Sequence, residues 1–296
     1  MRTTLGMLLV LGVVTPACRP RDAAPRRVLA VGGFDVPESV KWDERQDVYF
    51  ISNINGDPGD KDNNGAISRL RATSTAPERT FIAGGRNGVT LHAPKGMALV
   101  EDTLWVTDID VVRAFHAVTG APIAAVPISG AVFLNDLAAD PDGSLYVSDT
   151  GIRFTASGME HPGPDRIFRI APDRRVSVAL EGATVNAPNG LAWDRANERL
   201  IIVSFAGDSL RAWKPGEAAS TVIATGPGQH DGVEVVDDVL WVSSWADSAV
   251  YRVAQGQALK AISGVPSPAD IGYDAKRRRV LIPIFSEGRV EAWQVR

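Results

Sequence analysis

Pro188-Asn189-Gly190-Leu191-Ala192-Trp193 is a short apolar run led by a small polar residue, and Asp194-Arg195-Ala196-Asn197 follows it as a turn. Asp and Asn favour turns because their side chains bond nearby backbone. The same order returns five more times. Asn189 has counterparts in Glu38 (Pro37-Glu38-Ser39-Val40), Lys95 (Pro94-Lys95-Gly96-Met97) and Asn135 (Leu134-Asn135-Asp136-Leu137). The others are Asp231 (His230-Asp231-Gly232-Val233) and Asp270 (Ala269-Asp270-Ile271-Gly272). The intervals lie between 39 and 57 residues. A period near forty suits a four-stranded propeller blade.

Further strands recur in phase. A second strand rich in aromatic and β-branched residues follows each turn, as in Leu104-Trp105-Val106-Thr107 and Leu145-Tyr146-Val147-Ser148. A third usually carries a basic residue, as in Val112-Arg113-Ala114-Phe115 and Leu210-Arg211-Ala212-Trp213. Fourth strands such as Thr80-Phe81-Ile82-Ala83 close five copies, but the sixth ends at Arg296 without one. Near the N-terminus an unclaimed strand, Arg27-Val28-Leu29-Ala30-Val31, reads like a fourth strand. The expected fold is all-β: a six-bladed β-propeller of four-stranded blades over residues 27–296. The N-terminal strand pairs into the last blade, which removes open sheet edges.

Residues 1–17 carry the pattern of a secretory signal: Arg2, an apolar stretch from Leu5 to Val14, then Thr15-Pro16-Ala17. The stretch is short for a membrane span. Cys18 follows directly and is the only cysteine, so no internal disulfide can form. Its position matches a lipidation site, with ordinary secretion as the alternative. Residues 18–26, with three arginines and two prolines, read as a tether. The expected location is therefore the periplasm or a membrane anchor through Cys18, otherwise secretion. Net charge is −4, and Arg277-Arg278-Arg279 is the one basic cluster, which argues against nucleic acid as a partner. A monomer is expected.

The repeated residues should gather at one end of the propeller axis. Glu38, Asn135, Asn189 and Asp231 would present two carboxylates and two amide oxygens to one point, a hard-oxygen set suited to Ca²⁺. Another divalent cation (Zn²⁺, Mn²⁺ or Mg²⁺) is the variant reading. Without a cation the carboxylates would repel one another and hold their protons. Lys95 shares the axis and could polarise a substrate carbonyl. His92 and His230 are expected near the same face, as are Asp108, Asp110 and Asp149. Long connections, Asn53–Gly65 and Asp149–Asp165, flank that face. Asp60-Lys61-Asp62-Asn63-Asn64-Gly65 matches the first half of an EF-hand loop, but Arg71 stands where its Glu should be. A true EF-hand is rejected. A second Ca²⁺ site or a polar loop with Asx turns are the two readings left. Gly-x-Ser-x-Gly and a Gly-rich phosphate loop are absent, which disfavours covalent serine catalysis and nucleotide binding.

On Asn135-Asp136 with Asp140-Pro141-Asp142-Gly143, on Pro188-Asn189-Gly190-Leu191 and on His230-Asp231-Gly232-Val233, the chain resembles the calcium-dependent lactonase propellers of the gluconolactonase and regucalcin (senescence marker protein) family. Paraoxonases are more distant relatives. The resemblance spans residues 30–296. It implies Glu38, Asn189 and Asp231 as metal ligands, Asn135 as a contact to metal or substrate, and Asp231 also as general base. The implied reaction is metal-assisted hydrolysis of a lactone or related ester, with the cation polarising the carbonyl. His230, beside Asp231, is the candidate for further proton transfer. Sugar-lactone members carry an Arg two residues before the Asn matching Asn135. Phe133 stands there in this chain, which turns the expectation toward a more apolar substrate. The alternatives are a non-catalytic propeller that binds a ligand or protein with a structural Ca²⁺, and non-hydrolytic chemistry of the strictosidine-synthase type.

Overall fold

The repeated segments pair within their own copies, antiparallel and in sequence order. The computed structural model describes residues 24–155 and 157–295. Blade 1 consists of Pro37–Asp43, Val48–Asn53, Ala66–Arg71 and Glu78–Ala83. Blade 2 consists of Pro94–Val100, Thr103–Asp108, Val111–His116 and Pro122–Pro127. Blades 3, 4 and 5 follow the same order, with inner strands Leu134–Ala139, Pro188–Asp194 and His230–Val236. Blade 6 is built from Gly272–Asp274, Arg279–Ile284 and Arg289–Gln294, and Arg26–Gly32 is its outer strand. The expected six-bladed, ring-closed propeller is the fold. The signal at 1–17, Cys18 and most of the 18–26 tether lie outside the described residues. Arg26, assigned to the tether, opens the closing strand.

The alternation of apolar residues along each second and third strand buries both blade faces against neighbours. Six apolar clusters result, one between each pair of adjacent blades. Phe50 and Ile67 of blade 1 meet Met97, Leu104 and Phe115 of blade 2. Tyr49 and Leu70 meet Leu281 and Ala292 across the closure. Outer strands are largely exposed, as in Val176–Glu181.

Five inner strands carry an irregularity at the same place. Pairing slips between Pro37 and Val40, Pro94 and Met97, Leu134 and Leu137, Pro188 and Leu191, and His230 and Val233. Each slip is a bulge that spans the leading polar residue and the one after it. Bulges re-aim side chains and gather near active sites. The second residue of each pair faces the next inner strand closely. A Cβ on Gly190 would stand 2.2 Å from the carbonyl oxygen of Asp231, and one on Gly232 2.4 Å from the nitrogen of Ile271. In blades 2, 4 and 5 glycine follows the polar residue, because the neighbouring strand leaves no room there for a side chain.

The sixth copy corrects the sequence reading. Asp270 forms a parallel bridge with Ser39, the second residue of blade 1's pair. Its apolar follower, Ile271, therefore matches Val40, and Ala269 holds the leading position. Asp270 belongs one place further along than Glu38, Asn189 and Asp231.

Candidate active site on the propeller axis

The bulges turn Glu38, Lys95, Asn135, Asn189 and Asp231 toward a common cavity of about 120 Å³. All five are at least nine-tenths buried. Glu38 Oε2, Asn135 Oδ1, Asn189 Oδ1 and Asp231 Oδ1 are buried and have no hydrogen-bond partner in the protein. Buried polar atoms are normally paired, so four orphaned oxygens in one cavity need an explanation.

Electrostatics sharpen the point. Burial raises the Glu38 carboxyl well above the usual range, and Asp231, Asp270 and Asp136 add to it, with Lys95 opposing. Asp231 is pushed up to about 8 by burial and then by Asp270, against weaker help from Trp245 and Asn189. Burial pulls Lys95 down to about 8, with Glu38 and Asp108 working the other way. These groups tolerate charge poorly as they stand. Two carboxylates and two amide carbonyls fit a hard divalent cation such as Ca²⁺ and lack the His and Cys ligands typical of structural zinc. Among the described residues no three His, Cys, Asp or Glu side chains form a metal-binding cluster, so a cation here would depend on the two amides as well.

Lys95 donates to the Ala93 carbonyl at 3.0 Å, and its ammonium lies 4.3 Å from the centre of the Phe133 ring. Phe133, at the place of the family's Arg, thus carries a cation on its face.

Hydroxyls near the ends of second strands hold the bulges. Ser148 Oγ accepts from the Asp136 N–H at 2.8 Å and donates to the Asn189 carbonyl of the next blade at 2.7 Å. Ser243 does the same with the Gly232 N–H and the Ala269 carbonyl. Ser52 accepts from the Ser39 N–H, and Thr107 donates to the Asn135 carbonyl. Thr107, Ser148 and Ser243 therefore tie the bulged segment of one blade to that of the next, and Ser52 holds the bulge within blade 1.

Asp108 and Asp149, which end second strands, do not line the cavity. Asp108 accepts from the His92 and Ala93 N–H groups and pairs with Arg113. Asp149 accepts from the Val132 and Phe133 N–H groups and pairs with Arg166. Both clamp the loop that enters the inner strand. His92 Nδ1 accepts from the Asn63 N–H at 3.0 Å, which ties it to the Asp60–Gly65 loop. In that loop Asp62 accepts from Asn64, Asn63 caps Leu91, and Lys61 pairs with Asp110 at 2.6 Å. The polar-loop reading accounts for these contacts. His230 is buried outside the cavity wall, close to Gly226, and burial lowers its pKa to about 4 against the opposing Asp208 and Asp247.

The residues just after the second strands were not singled out from sequence. Ile54, Thr150, Phe205, Trp245 and Phe285 all line the cavity. Phe205, Trp245 and Phe285 form a continuous wall, with ring centres 5.5 Å and 5.2 Å apart. They recur at an interval of forty residues, the signal that would have found them. A hairpin, Arg153–Thr155 with Gly158–Glu160, brings Phe154 and Met159 to the opposite side.

Further along the inner strands lies a second charged cluster. Lys41 Nζ donates to Glu234 at 3.1 Å, Asp270 at 3.3 Å and the Ile271 carbonyl at 3.1 Å. Ser39 Oγ donates to Asp270. Asp136 accepts from the Leu137 and Leu191 N–H groups, each at 2.7 Å. Burial works against the Lys41 charge, but Asp270, Glu234 and Asp136 outweigh it and hold its pKa above the usual lysine range.

A bulged six-bladed ring with oxygen donors on its axis defines a class of propeller, and the sequence places the chain within it. Residues 36–271 match the family model described as SMP-30/gluconolactonase/LRE-like region, and the chain belongs to that family. No curated protein matches the sequence. Among solved structures, a gluconolactonase of Xanthomonas campestris is 18% identical with a TM-score of 0.67, covering 96% of this chain and 99% of that one. A luciferin-regenerating enzyme is 14% identical with a TM-score of 0.68, covering 91% and 95%. A chain of a nidogen/laminin complex is 18% identical with a TM-score of 0.61, covering 83% of each. At these identities the likeness is one of fold.

Proposed function

We propose that this protein is a divalent-cation-dependent hydrolase of a lactone or related carboxylic ester, with Ca²⁺ the best fit. The four orphaned oxygens of Glu38, Asn135, Asn189 and Asp231 carry this reading. Bound there, the cation would act as a Lewis acid on the ester carbonyl. Asp231, ionised beside the cation, would accept the proton of the attacking water. Lys95 donates a hydrogen bond to the acyl oxygen as charge develops on it. The aromatic wall excludes bulk water, which strengthens both contacts. The N-terminal pattern ending at Cys18 supports export, to the periplasm or to a lipid anchor.

The test is hydrolysis of a panel of lactones and aryl esters by the purified protein, with Ca²⁺ and after chelation. Turnover that vanishes with chelator and returns with Ca²⁺ is expected. Asp231→Asn should lower kcat by roughly 10²–10⁴-fold, the range of a lost general base, while the fold persists. No turnover on any ester, with a melting temperature that still rises with Ca²⁺, would replace this reading by that of a binding propeller with a structural cation.

A further inference from the structure

The axial cavity is polar only at its floor. Its walls are Phe133, Phe154, Phe205, Trp245, Phe285 and Met159, and among the described residues no charged side chain other than Glu38, Lys95 and Asp231 lines it. A polyhydroxylated ligand gives up bonds to water on entry and needs donors and acceptors in return. This wall offers few. Among the described residues, Trp245 Nε1 is buried without a hydrogen-bond partner, and Thr150 is the one hydroxyl in the lining.

Phe133 and Lys95 read as a coupled pair. The aromatic ring fills the position two residues before Asn135 and supports the ammonium of blade 2 on its face at 4.3 Å. Lys95 is 1% exposed and has three N–H bonds, yet one hydrogen bond, to Ala93, and no salt bridge. The ring face takes part of its charge, and capacity remains for one ligand oxygen. On the hairpin, Phe154 and Met159 are 45% and 62% exposed while still touching the cavity. Phe154 packs edge-on against Phe133 at 5.3 Å. Large apolar side chains left open beside a pocket indicate an apolar occupant.

We propose that the cavity takes a neutral lactone or ester with a planar apolar body, held between the Phe205–Trp245–Phe285 wall and the Phe133–Phe154 pair, with its acyl oxygen bonded by Lys95. The proposal rests on the hydrolase reading for the reaction and on the wall for the substrate class. Aromatic ligands gain by offset or edge contacts with such rings. A sugar lactone would leave its hydroxyls unpaired.

The experiment compares two δ-lactones, one bearing a phenyl group and one fully hydroxylated, and the two matching unreactive lactams. Activity is read as kcat/KM with Ca²⁺, and lactam binding by calorimetry with the same cation. The phenyl compounds should be preferred by roughly 10- to 100-fold in both measurements, the worth of burying one aromatic side chain. Phe133→Arg should narrow or invert the ratio by weakening the phenyl ligand. Phe285→Ala, at the rim, should reduce it without exposing the ligand oxygens. Equal or better use of the hydroxylated lactone and lactam would overturn the proposal while leaving the hydrolase reading intact. Preference in lactam binding without turnover of either lactone would leave the substrate class standing and sink the reaction.

Discussion

The central channel holds two groups of buried carboxylates, and the protein treats them oppositely. Toward the aromatic cavity, Glu38 and Asp231 each keep an oxygen with no donor. Further along the same strands, Asp270 and Glu234 are met by Lys41 and Ser39, and Asp136 by two backbone N–H groups. Burying a charge without a partner costs several kcal/mol, so such a set either holds its protons or is completed by a cation. The lower cluster contains its own cation and is closed. The upper one is built from the same strands, but its lysine, Lys95, bonds the Ala93 carbonyl and lies on the Phe133 ring, so oxygens of Glu38 and Asp231 stay open.

Three changes would break or sharpen that contrast. Lys41→Met removes the internal cation and leaves Asp270 and Glu234 facing each other. Unfolding in denaturant should show a loss of about 3–5 kcal/mol, the cost of stranding a buried charge. The loss should shrink at acid pH, where both carboxyls can hold protons. A variant as stable as the parent at neutral pH would mean that the lower cluster needs no cation, and the argument for the upper one would weaken with it.

The upper cluster should respond to an external cation instead. At one hundred times its Kd, Ca²⁺ should add about 2.7 kcal/mol. Asp231 has a folded pKa raised from 3.8 to about 8 when no metal is bound. At this group the folded state then binds more protons than the unfolded chain, so its contribution to metal-free stability is greatest at acid pH and is lost as pH rises between those values. The cation needs the ionised form, so its stabilising effect should grow across the same window. Thermal melts with Ca²⁺ and with chelator measure both slopes. A Ca²⁺ effect independent of pH would place the ion elsewhere.

The smallest effect concerns the support of the ligands. Ser148→Ala leaves the Asp136 N–H without its acceptor and unties the Asn189 carbonyl. It should cost about 1–2 kcal/mol of stability and also weaken Ca²⁺ binding, because Asn189 is no longer held across the blade boundary. Loss of stability with unchanged Ca²⁺ affinity would confine the serine to the fold.

Periodicity made most of the architecture readable before any coordinates. The second and third strands fall where the repeat puts them, and the expected closing strand at Arg27–Val31 is part of Arg26–Gly32. The convergence of Glu38, Asn135, Asn189 and Asp231 followed from the same phase. Asp270 was misplaced by one residue because matching by residue type favoured the carboxylate over Ala269. Counting back from the apolar follower would have given the right position. His230 is adjacent to Asp231, yet neighbouring strand positions face different ways. The clamps made by Asp108 and Asp149 depend on where two loops meet in space, and no local pattern announces that. The aromatic wall had a pattern, one residue after the second strands of blades 4, 5 and 6, but it lies outside the segment that drew the reading.

Ring closure has a consequence for how the chain is made. Arg26 pairs with Gln294, so Arg26–Gly32 leaves the ribosome long before the strand it pairs with. Until then Arg26–Gly32 is an unpaired β-edge, and blade 6 cannot seal the apolar face of blade 1, where Tyr49 and Leu70 wait for Leu281 and Ala292. Arginines at 26 and 27 make that edge a poor template for other chains. The interval between these two strands is the period in which this edge is most exposed to wrong pairing, and its length is set by the time needed to translate the five blades that lie between them.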